Sequence, residues 1–398
     1  MFRHLALKLF QISSAQTSSS LSNTGTRYVR LVPHFSSSSA QPSSPSFTVS
    51  YLVNSCGLSL ESALSASKLV QLESSDRPDA VLSLFENYGF PKDLVAKLVD
   101  KCPTVLNSDP QKTLKPKIEF FNREGISGAD LAKVLAYRPA IFRSSIKKIM
   151  PCLNLLRCFT RSSQEICSTL KYFNVVIISN AEKLLLPNIS VLRSHGVPEH
   201  RVAKLVTAYP RVLTVNTSRF AEAVKIVSEM GFNPELAVFV LAVRTMLVVS
   251  KSKWEAKMKT FKSFGLSEDE IFAAFKRQPM FLVASERKLR RLLDLLVNKL
   301  AISPSVLLRK PNLFLLSPEK TILPRALVIQ ILLSKNLLSE DLCMFSVWVA
   351  PQSKFLEKYV VKYQEEVPEV LMAYQGKLGL SGPLPIQILA QPRRLKSH

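Results

Sequence analysis

The chain has 398 residues, too many for one small core, so two domains or a repeat array are expected. Hydrophobic residues make up 47%, which is ample for a buried interior. Lys and Arg number 53 against 30 Asp and Glu, and the net charge of +23 points to a polyanionic partner, nucleic acid or an anionic surface, rather than to any fold. The six cysteines (Cys56, Cys102, Cys152, Cys158, Cys167 and Cys343) form no C-x-x-C pair, and the histidines form no H-x-x-x-H spacing. That pattern argues against a zinc site and against a secreted disulfide framework; the thiols are expected to be small buried hydrophobes or idle groups.

In chain order, the first 60 residues contain no Asp or Glu and are rich in Ser, with Arg3, Lys8, Arg27 and Arg30. The opening MFRHLALKLFQI can form a short basic amphipathic helix. An Arg-bearing, Ser-rich, acid-poor start is that of an organellar transit peptide, so residues 1–45 are expected to be a disordered leader. A secretory signal fits less well, because no apolar block with a small-residue cleavage site follows. Residues 46–78 are then an N-terminal helical cap.

Residues 79–331 repeat. The segments starting at Pro103, Pro139, Asn174, Pro210, Thr245, Pro279 and Pro311 align, at successive spacings of 36, 35, 36, 35, 34 and 32 residues. Gly89, Gly125, Gly196, Gly231 and Gly265 each lie 14 residues before that position. Each unit reads as a first helix such as Asp79–Tyr88 ending at Gly, whose left-handed conformation closes helices. A second helix opens on Pro or on a Ser267-x-x-Glu270 capping box, repeated as Ser162-x-x-Glu165, and stops at the repeat Pro. A short apolar turn and a third short helix, for example Lys112–Phe121 or Ser285–Leu295, complete the unit. The unit near Leu296–Pro311 is about three residues short, so its second helix should be abbreviated. Such units bury their apolar faces only by stacking, which makes an all-α solenoid. Leu236–Val249 is the longest apolar run, but it is 14 residues long and holds Arg244; it reads as a buried helix, since a membrane span needs about 20 apolar residues. Residues 332–376 break the spacing and read as a C-terminal helical cap. Residues 377–398 are Pro-rich and basic, and are expected to be a disordered tail.

Catalytic motifs are missing: there is no P-loop, G-x-S-x-G, H-E-x-x-H or H-x-E with P-C-x-x-C, so neither an enzyme nor a cofactor is expected. The signal that remains is charge. Lys101, Arg138, Arg211, Arg244, Arg277 and Arg309 each lie within two residues of the repeat Pro position. Stacked units would string them into a stripe suited to regularly spaced phosphates. The competing account is local, since cations at helix C-termini are favoured by the macrodipole. A second set (Lys147, Lys148, Lys251, Lys253, Lys257, Arg287, Lys288, Arg290 and Arg291) lies in or beside the third helices, where a helix C-terminus does not explain it. Aromatics are mostly Phe at core phases (Phe85, Phe120, Phe220, Phe261 and Phe275), so platforms stacking on unpaired bases are not indicated and duplex binding is mildly favoured.

The repeated P-x-[apolar]-[Leu/Phe] turn, together with FTVSYLVNSCGLSLESALSASK at Phe47–Lys68 and FLEKYVVKYQEEVP at Phe355–Pro368, resembles the mitochondrial transcription termination factor (mTERF) family in its plant organellar branch. The resemblance covers roughly residues 47–376. It implies a right-handed half-superhelix of about seven to eight three-helix repeats whose concave basic groove holds nucleic acid. Asn174 and Thr245 in place of Pro, and the missing Gly of the third and seventh units, depart from the pattern and put local geometry in question. The expected function is an organellar regulator of gene expression that binds double-stranded DNA in transcription termination or regulation. The alternatives are an RNA-binding factor for group II intron splicing or rRNA maturation, and a helical protein scaffold. The expected partners are organellar DNA, RNA or both, in the mitochondrion or alternatively the chloroplast. The protein is expected to act as a monomer without membrane or small-molecule substrate.

Overall fold

The computed structural model describes residues 46–378 apart from 175, 176, 179, 340 and 341. The expected leader at 1–45 and nearly all of the expected tail at 377–398 lie outside the described residues. The described elements are helices, and their packing divides them into two compact units, one ending at Phe220 and one beginning at Ala221.

The first unit contains α1 (Phe47–Asn54), α2 (Leu60–Ala66), α3 (Asp76–Asn87), α4 (Lys92–Lys101), α5 (Lys115–Arg123), α6 (Gly128–Tyr137), α7 (Ile146–Arg157), α8 (Ser163–Leu170), α9 (Ala181–Ser194) and α10 (Glu199–Ala208). Helix α11 (Thr217–Glu229) carries the chain onward. In this unit α2, α4, α6 and α8 pack side by side in sequence, each against the next, and α7 packs on α9. The long helices, which end at the repeat glycine, thus alternate with short ones, which end at the repeat proline.

The second unit contains α12 (Ala237–Val248), α13 (Lys251–Ser263), α14 (Glu268–Arg277), α15 (Glu286–Leu293), α16 (Pro304–Arg309), α17 (Leu323–Ser334), α18 (Met344–Val349), α19 (Gln352–Phe355) and α20 (Glu369–Tyr374). Here α12, α14 and α16 form the short-helix row, and α13 packs on α15. The abbreviated helix expected before Pro311 is α16, of six residues. The apolar run at Leu236–Val249 is α12, buried along Phe239, Val240, Ala242 and Val243.

Repeat chemistry acts as its residues dictate. Gly89, Gly125, Gly196, Gly231 and Gly265 all take φ between 73° and 80°, the left-handed closure that a Cβ disfavours. Ala301 and Asn336, after the long helices of the seventh unit and of the closing segment, which lack the glycine, adopt φ 55° instead. Ser267 and Glu270 form the complete reciprocal box. The Ser162 box is half made: its hydroxyl accepts from Glu165 N at 3.2 Å, while the Glu165 carboxylate turns to Arg161 N at 2.7 Å.

Three expectations need correction. The helix placed at Asp79–Tyr88 begins three residues earlier, because Asp76 and Asp79 both stabilise its first turn. The third helix of the repeat is shorter than expected and lies earlier than placed. After the short helix comes a five-residue 3-10 turn, such as Pro103–Asn107, Pro139–Arg143 or Pro279–Val283. The helix expected at Lys112–Phe121 is the first helix of the following unit, since nothing interrupts Pro110–Leu114 and α5 before Gly125. The same holds for Ser285–Leu295, where α15 continues as a wider π-turn through Asp294–Lys299. Third, the two non-proline joints differ from each other. Asn174 replaces proline by capping: its Oδ1 accepts from Ile177 N at 2.8 Å. Thr245 does not break the chain, so α12 runs on to Val248 and no 3-10 turn forms there.

Phe85, Phe120, Phe220, Phe261 and Phe275 are all buried, as their phases require. In three repeats a polar bracket crosses from the long helix to the next 3-10 turn. Lys117, Asn188 and Lys257 each stand eight residues before a repeat glycine. Their side chains donate to the carbonyls of Phe142, Leu213 and Leu282, each three residues after a repeat proline. Burial holds Lys117 and Lys257 below the ordinary lysine range. In the closing helices Arg325 does the same work, donating to the carbonyls of Val347, Trp348 and Ala350 at 2.7–2.9 Å while its guanidinium lies 4.7 Å from the Phe355 ring centre. These bonds satisfy backbone acceptors that burial would otherwise leave bare.

Candidate nucleic-acid interface

The cations next to the repeat proline sit at the C-terminal ends of the short helices, and in the first unit the structure shows what holds two of them. Lys101 ends α4; its Nζ donates to Ala136 O at 2.8 Å, in the last turn of α6, and lies 5.2 Å from the Tyr137 ring centre. Arg138 caps α6 and donates through Nε to Lys171 O at 2.8 Å, just past α8. Each cation therefore caps the short helix of the following repeat, where unpaired carbonyls and the negative end of the dipole favour it. Arg211 lies in the turn Pro210–Thr214 and is exposed. In the second unit the half-buried Arg244 reaches Met280 Sδ at 3.0 Å. Arg277 is exposed and forms no ion pair among the described residues, and Arg309 is exposed at the end of α16. Arg309 also helps hold the Glu270 carboxyl below its ordinary range, behind larger effects from Ser305 and Ser267. Half of the expected stripe is thus engaged in packing.

The second set lies at the opposite helix end. Lys147 and Lys148 occupy the first turn of α7, and Lys251 and Lys253 that of α13; all four are exposed and make no side-chain hydrogen bond or ion pair among the described residues. Arg287 is exposed in the first turn of α15. Lys288 is half-buried, donates to Leu315 O at 2.8 Å and is held below the usual lysine range by burial. Arg290 pairs with Glu286 at 3.1 Å and Arg291 with Glu319 at 3.0 Å, both on the surface. Lys257 is only 4% exposed and engaged by Leu282, so it leaves this set.

Four members of the same register were not singled out from sequence. Lys112, Lys148, Lys183, Arg219, Lys288 and Lys320 each lie nine residues after a repeat position, and Lys253 lies eight after Thr245. Every one is the third residue of its helix or helical lead-in: Pro110–Leu114, α7, α9, α11, α13, α15 and Pro318–Ile322. The cap before it is polar, as in Asp109, Asn216, Ser285 and Ser317, whose side chains accept the backbone N–H at this third position. Lys112, Lys183, Arg219 and Lys320 are visible in sequence only when cations are counted by distance from the repeat proline rather than by density.

A cation at that position is electrostatically disfavoured by about 0.3–1 kcal/mol, because the helix start carries the positive end of the dipole. Three of these seven starts, α7, α11 and α13, have no acid in the cap or first turn to compensate, whereas the Asp109 carboxylate caps Pro110–Leu114 and attracts Lys112. Helix starts that combine backbone N–H groups with Lys or Arg attract anions, phosphate among them. Burial pushes the Cys56 and Cys152 thiols up to about 12 and Cys167 up to about 11, whereas Cys343 is exposed and, against the desolvation that raises it, hydrogen bonds from Ser346 hold it below the ordinary thiol range. Among the described residues no cluster of three His, Cys, Asp or Glu could hold a metal, and no helix is long and apolar enough to cross a membrane.

Fold and charge together define an all-α tandem-repeat protein with cations fixed at the starts of its long helices. The family model for mTERF matches residues 47–188 and 183–356, and the chain belongs to the mTERF family. Two Arabidopsis thaliana relatives are similar to it. Transcription termination factor MTERF8, chloroplastic, is 22% identical over 248 residues, covering 61% of this chain and 48% of the relative. Transcription termination factor MTERF15, mitochondrial, is 20% identical over 342 residues, covering 77% of this chain and 75% of the relative. The chain thus spans about half the length of the first and three quarters of the second.

Proposed function

We propose that this protein is an organellar nucleic-acid-binding regulator of gene expression that grips the phosphates of double-stranded DNA and acts in transcription termination or its regulation. The observation that carries the reading is the cation that recurs as the third residue of seven helix starts, three of which (α7, α11 and α13) have no acid in the cap or first turn to offset the helix dipole. Exposed Arg287 adds charge at the start of α15, and exposed Arg211, Arg277 and Arg309, on the short-helix side of their turns, are further candidate phosphate contacts. Both relatives carry the name of transcription termination factors and organellar addresses, one chloroplastic and one mitochondrial, which supports an organellar site of action. The Arg-bearing, acid-poor first 60 residues fit import into either organelle, the mitochondrion being the first reading and the chloroplast the alternative. Contacts to backbone phosphate release counterions, so affinity falls with a log–log salt slope of about −0.9 per phosphate on duplex DNA.

The test is equilibrium binding of the full chain to duplex DNA, single-stranded RNA and structured RNA across a salt series. Tight, salt-steep binding with duplex preferred supports a transcription-level role. Preference for structured RNA moves the function to intron splicing or ribosomal RNA maturation. Binding to none of them at low salt overturns the reading in favour of a protein scaffold.

A further inference from the structure

Among the described residues Phe47, Tyr137 and Tyr172 are the exposed aromatic side chains, and the two tyrosines lie within the repeats. Tyr137 is 60% exposed and Tyr172 is 46% exposed, whereas the phenylalanines at the core phases are buried. Both stand two residues before a repeat position, at the C-terminal ends of the neighbouring short helices α6 and α8. Each has a lysine over its ring: Lys101 Nζ is 5.2 Å from the Tyr137 centre and Lys171 Nζ is 5.1 Å from that of Tyr172. A tyrosine at a helix end needs no such exposure for stability, and an exposed ring of this size costs apolar burial.

Each ring closes the end of a cleft between adjacent short helices. The cleft of about 260 Å³ between α6 and α8 is lined by Tyr137, Gln164, Ser168 and Lys171, among others. The cleft of about 500 Å³ between α8 and α10 is lined by Tyr172, Lys171, Ser168, His200, Lys204 and Thr207, among others. Arg161 and Glu165 lie at its edge, and Glu165 is engaged with the Arg161 backbone. The clefts thus offer a flat ring, side chains that donate or accept hydrogen bonds, and more cations than acids. That is the chemistry that takes an unpaired base, by stacking on its face and hydrogen bonding at its edge, with ammonium groups left for the adjoining phosphates. Helical repeats read one base each when two or three side chains per repeat converge in this way.

We infer that the short-helix row of the first unit is a second, single-strand site, in which Tyr137 and Tyr172 stack on unpaired bases of RNA or DNA, one base per repeat. The inference rests on the nucleic-acid reading above but uses side chains that reading does not, since the phosphate register lies on the long helices. It also bears on the expectation that stacking platforms are not indicated: that expectation was drawn from phenylalanines at core phases, which are buried, whereas these two tyrosines are exposed.

The experiment compares the full chain with the Tyr137→Ala/Tyr172→Ala and Tyr137→Phe/Tyr172→Phe variants. The probes are oligouridine RNA and oligothymidine DNA of about twelve nucleotides, and a duplex DNA of about 25 base pairs. The expected result is a loss of about tenfold or more in affinity for the single strands with the alanine pair, retention with the phenylalanine pair, and duplex binding within about twofold of the parent. Tighter binding of RNA than of DNA, or the reverse, supports the site and identifies the sugar it prefers. Single-strand affinity unchanged in the alanine pair, or lost in parallel with duplex affinity, overturns the inference. Duplex binding by the parent without single-strand binding overturns it while leaving the nucleic-acid reading intact. Binding of no probe overturns both.

Discussion

The two ends of the short turn in each repeat carry the same charge for opposite reasons. At the C-terminal end of the short helix, Lys101 and Arg138 meet carbonyls of the next short helix and fit the local dipole. At the start of the following long helix, Lys112, Lys148, Lys183 and Lys253 meet a dipole of the wrong sign, and all four are exposed. A cation that the fold itself rewards says little about a ligand. A cation that the fold penalises, yet that recurs at one register, points outward to an anion. The buried Lys257 and Arg325 are the extreme of engagement by the fold: both donate to backbone carbonyls although burial disfavours their charge.

The contrast can be broken first at that extreme. Arg325→Ala strips three carbonyls of their donor and removes a cation from the Phe355 face, so urea unfolding should show a loss of about 3–5 kcal/mol. A loss below about 1 kcal/mol would mean that these bonds contribute little. Next comes the joint that departs from the repeat. Thr245→Pro restores the common residue, but α12 runs through this position, so the proline removes a helical N–H and should cost about 3 kcal/mol. A neutral or stabilising result in thermal melting would show that a 3-10 turn is equally accessible there.

Lys101→Ala and Arg138→Ala sharpen the comparison from the capping side. Each should cost about 1 kcal/mol by leaving a helix-terminal carbonyl unpaired, with duplex affinity reduced less than by any pair of long-helix cations. The reverse ranking in binding titrations would return these residues to the interface. The smallest effect is in pH. The Arg193 guanidinium holds the Glu199 carboxyl below its ordinary value of 4.5. The folded value lies under the unfolded one, so the stabilisation is present above about pH 4.5 and is lost as pH falls through the folded value. Arg193→Gln should flatten that acid limb by under about 1 kcal/mol, since the pair is exposed; an unchanged acid limb would leave the pair without a stabilising role.

Much of the fold was legible because glycine and proline constrain the backbone whatever surrounds them. Gly89, Gly125, Gly196, Gly231 and Gly265 mark helix ends in sequence and in structure, and the Ser267 box forms as spelled. The third helix was misdivided because the chain runs on into the next unit's first helix: Pro110 and Pro318 each start a helical lead-in, where proline lacks only an N–H that is unpaired anyway. The bracket was invisible for another reason: its register holds Lys117, Cys152, Asn188, Ala223 and Lys257, so residue type does not mark the position. In the candidate interface, density drew attention to the Arg287–Arg291 run, where Arg290 and Arg291 are paired with acids. The sparser cations at the third residue of each long helix stood out only once those helices had defined starts.

The central claim is that those cations serve a ligand and not the fold. The direct measurement is one variant, with Lys112, Lys148, Lys183, Lys253 and Lys320 changed to Ala in the full chain, followed by thermal melting and by duplex DNA binding across a salt series. The account predicts a melting temperature equal to or above the parent's, because five charges leave unfavourable helix starts, together with a salt slope shallower by roughly 0.9 for each phosphate no longer neutralised. A variant that melts lower while binding duplex DNA with the parent's affinity and slope would contradict it.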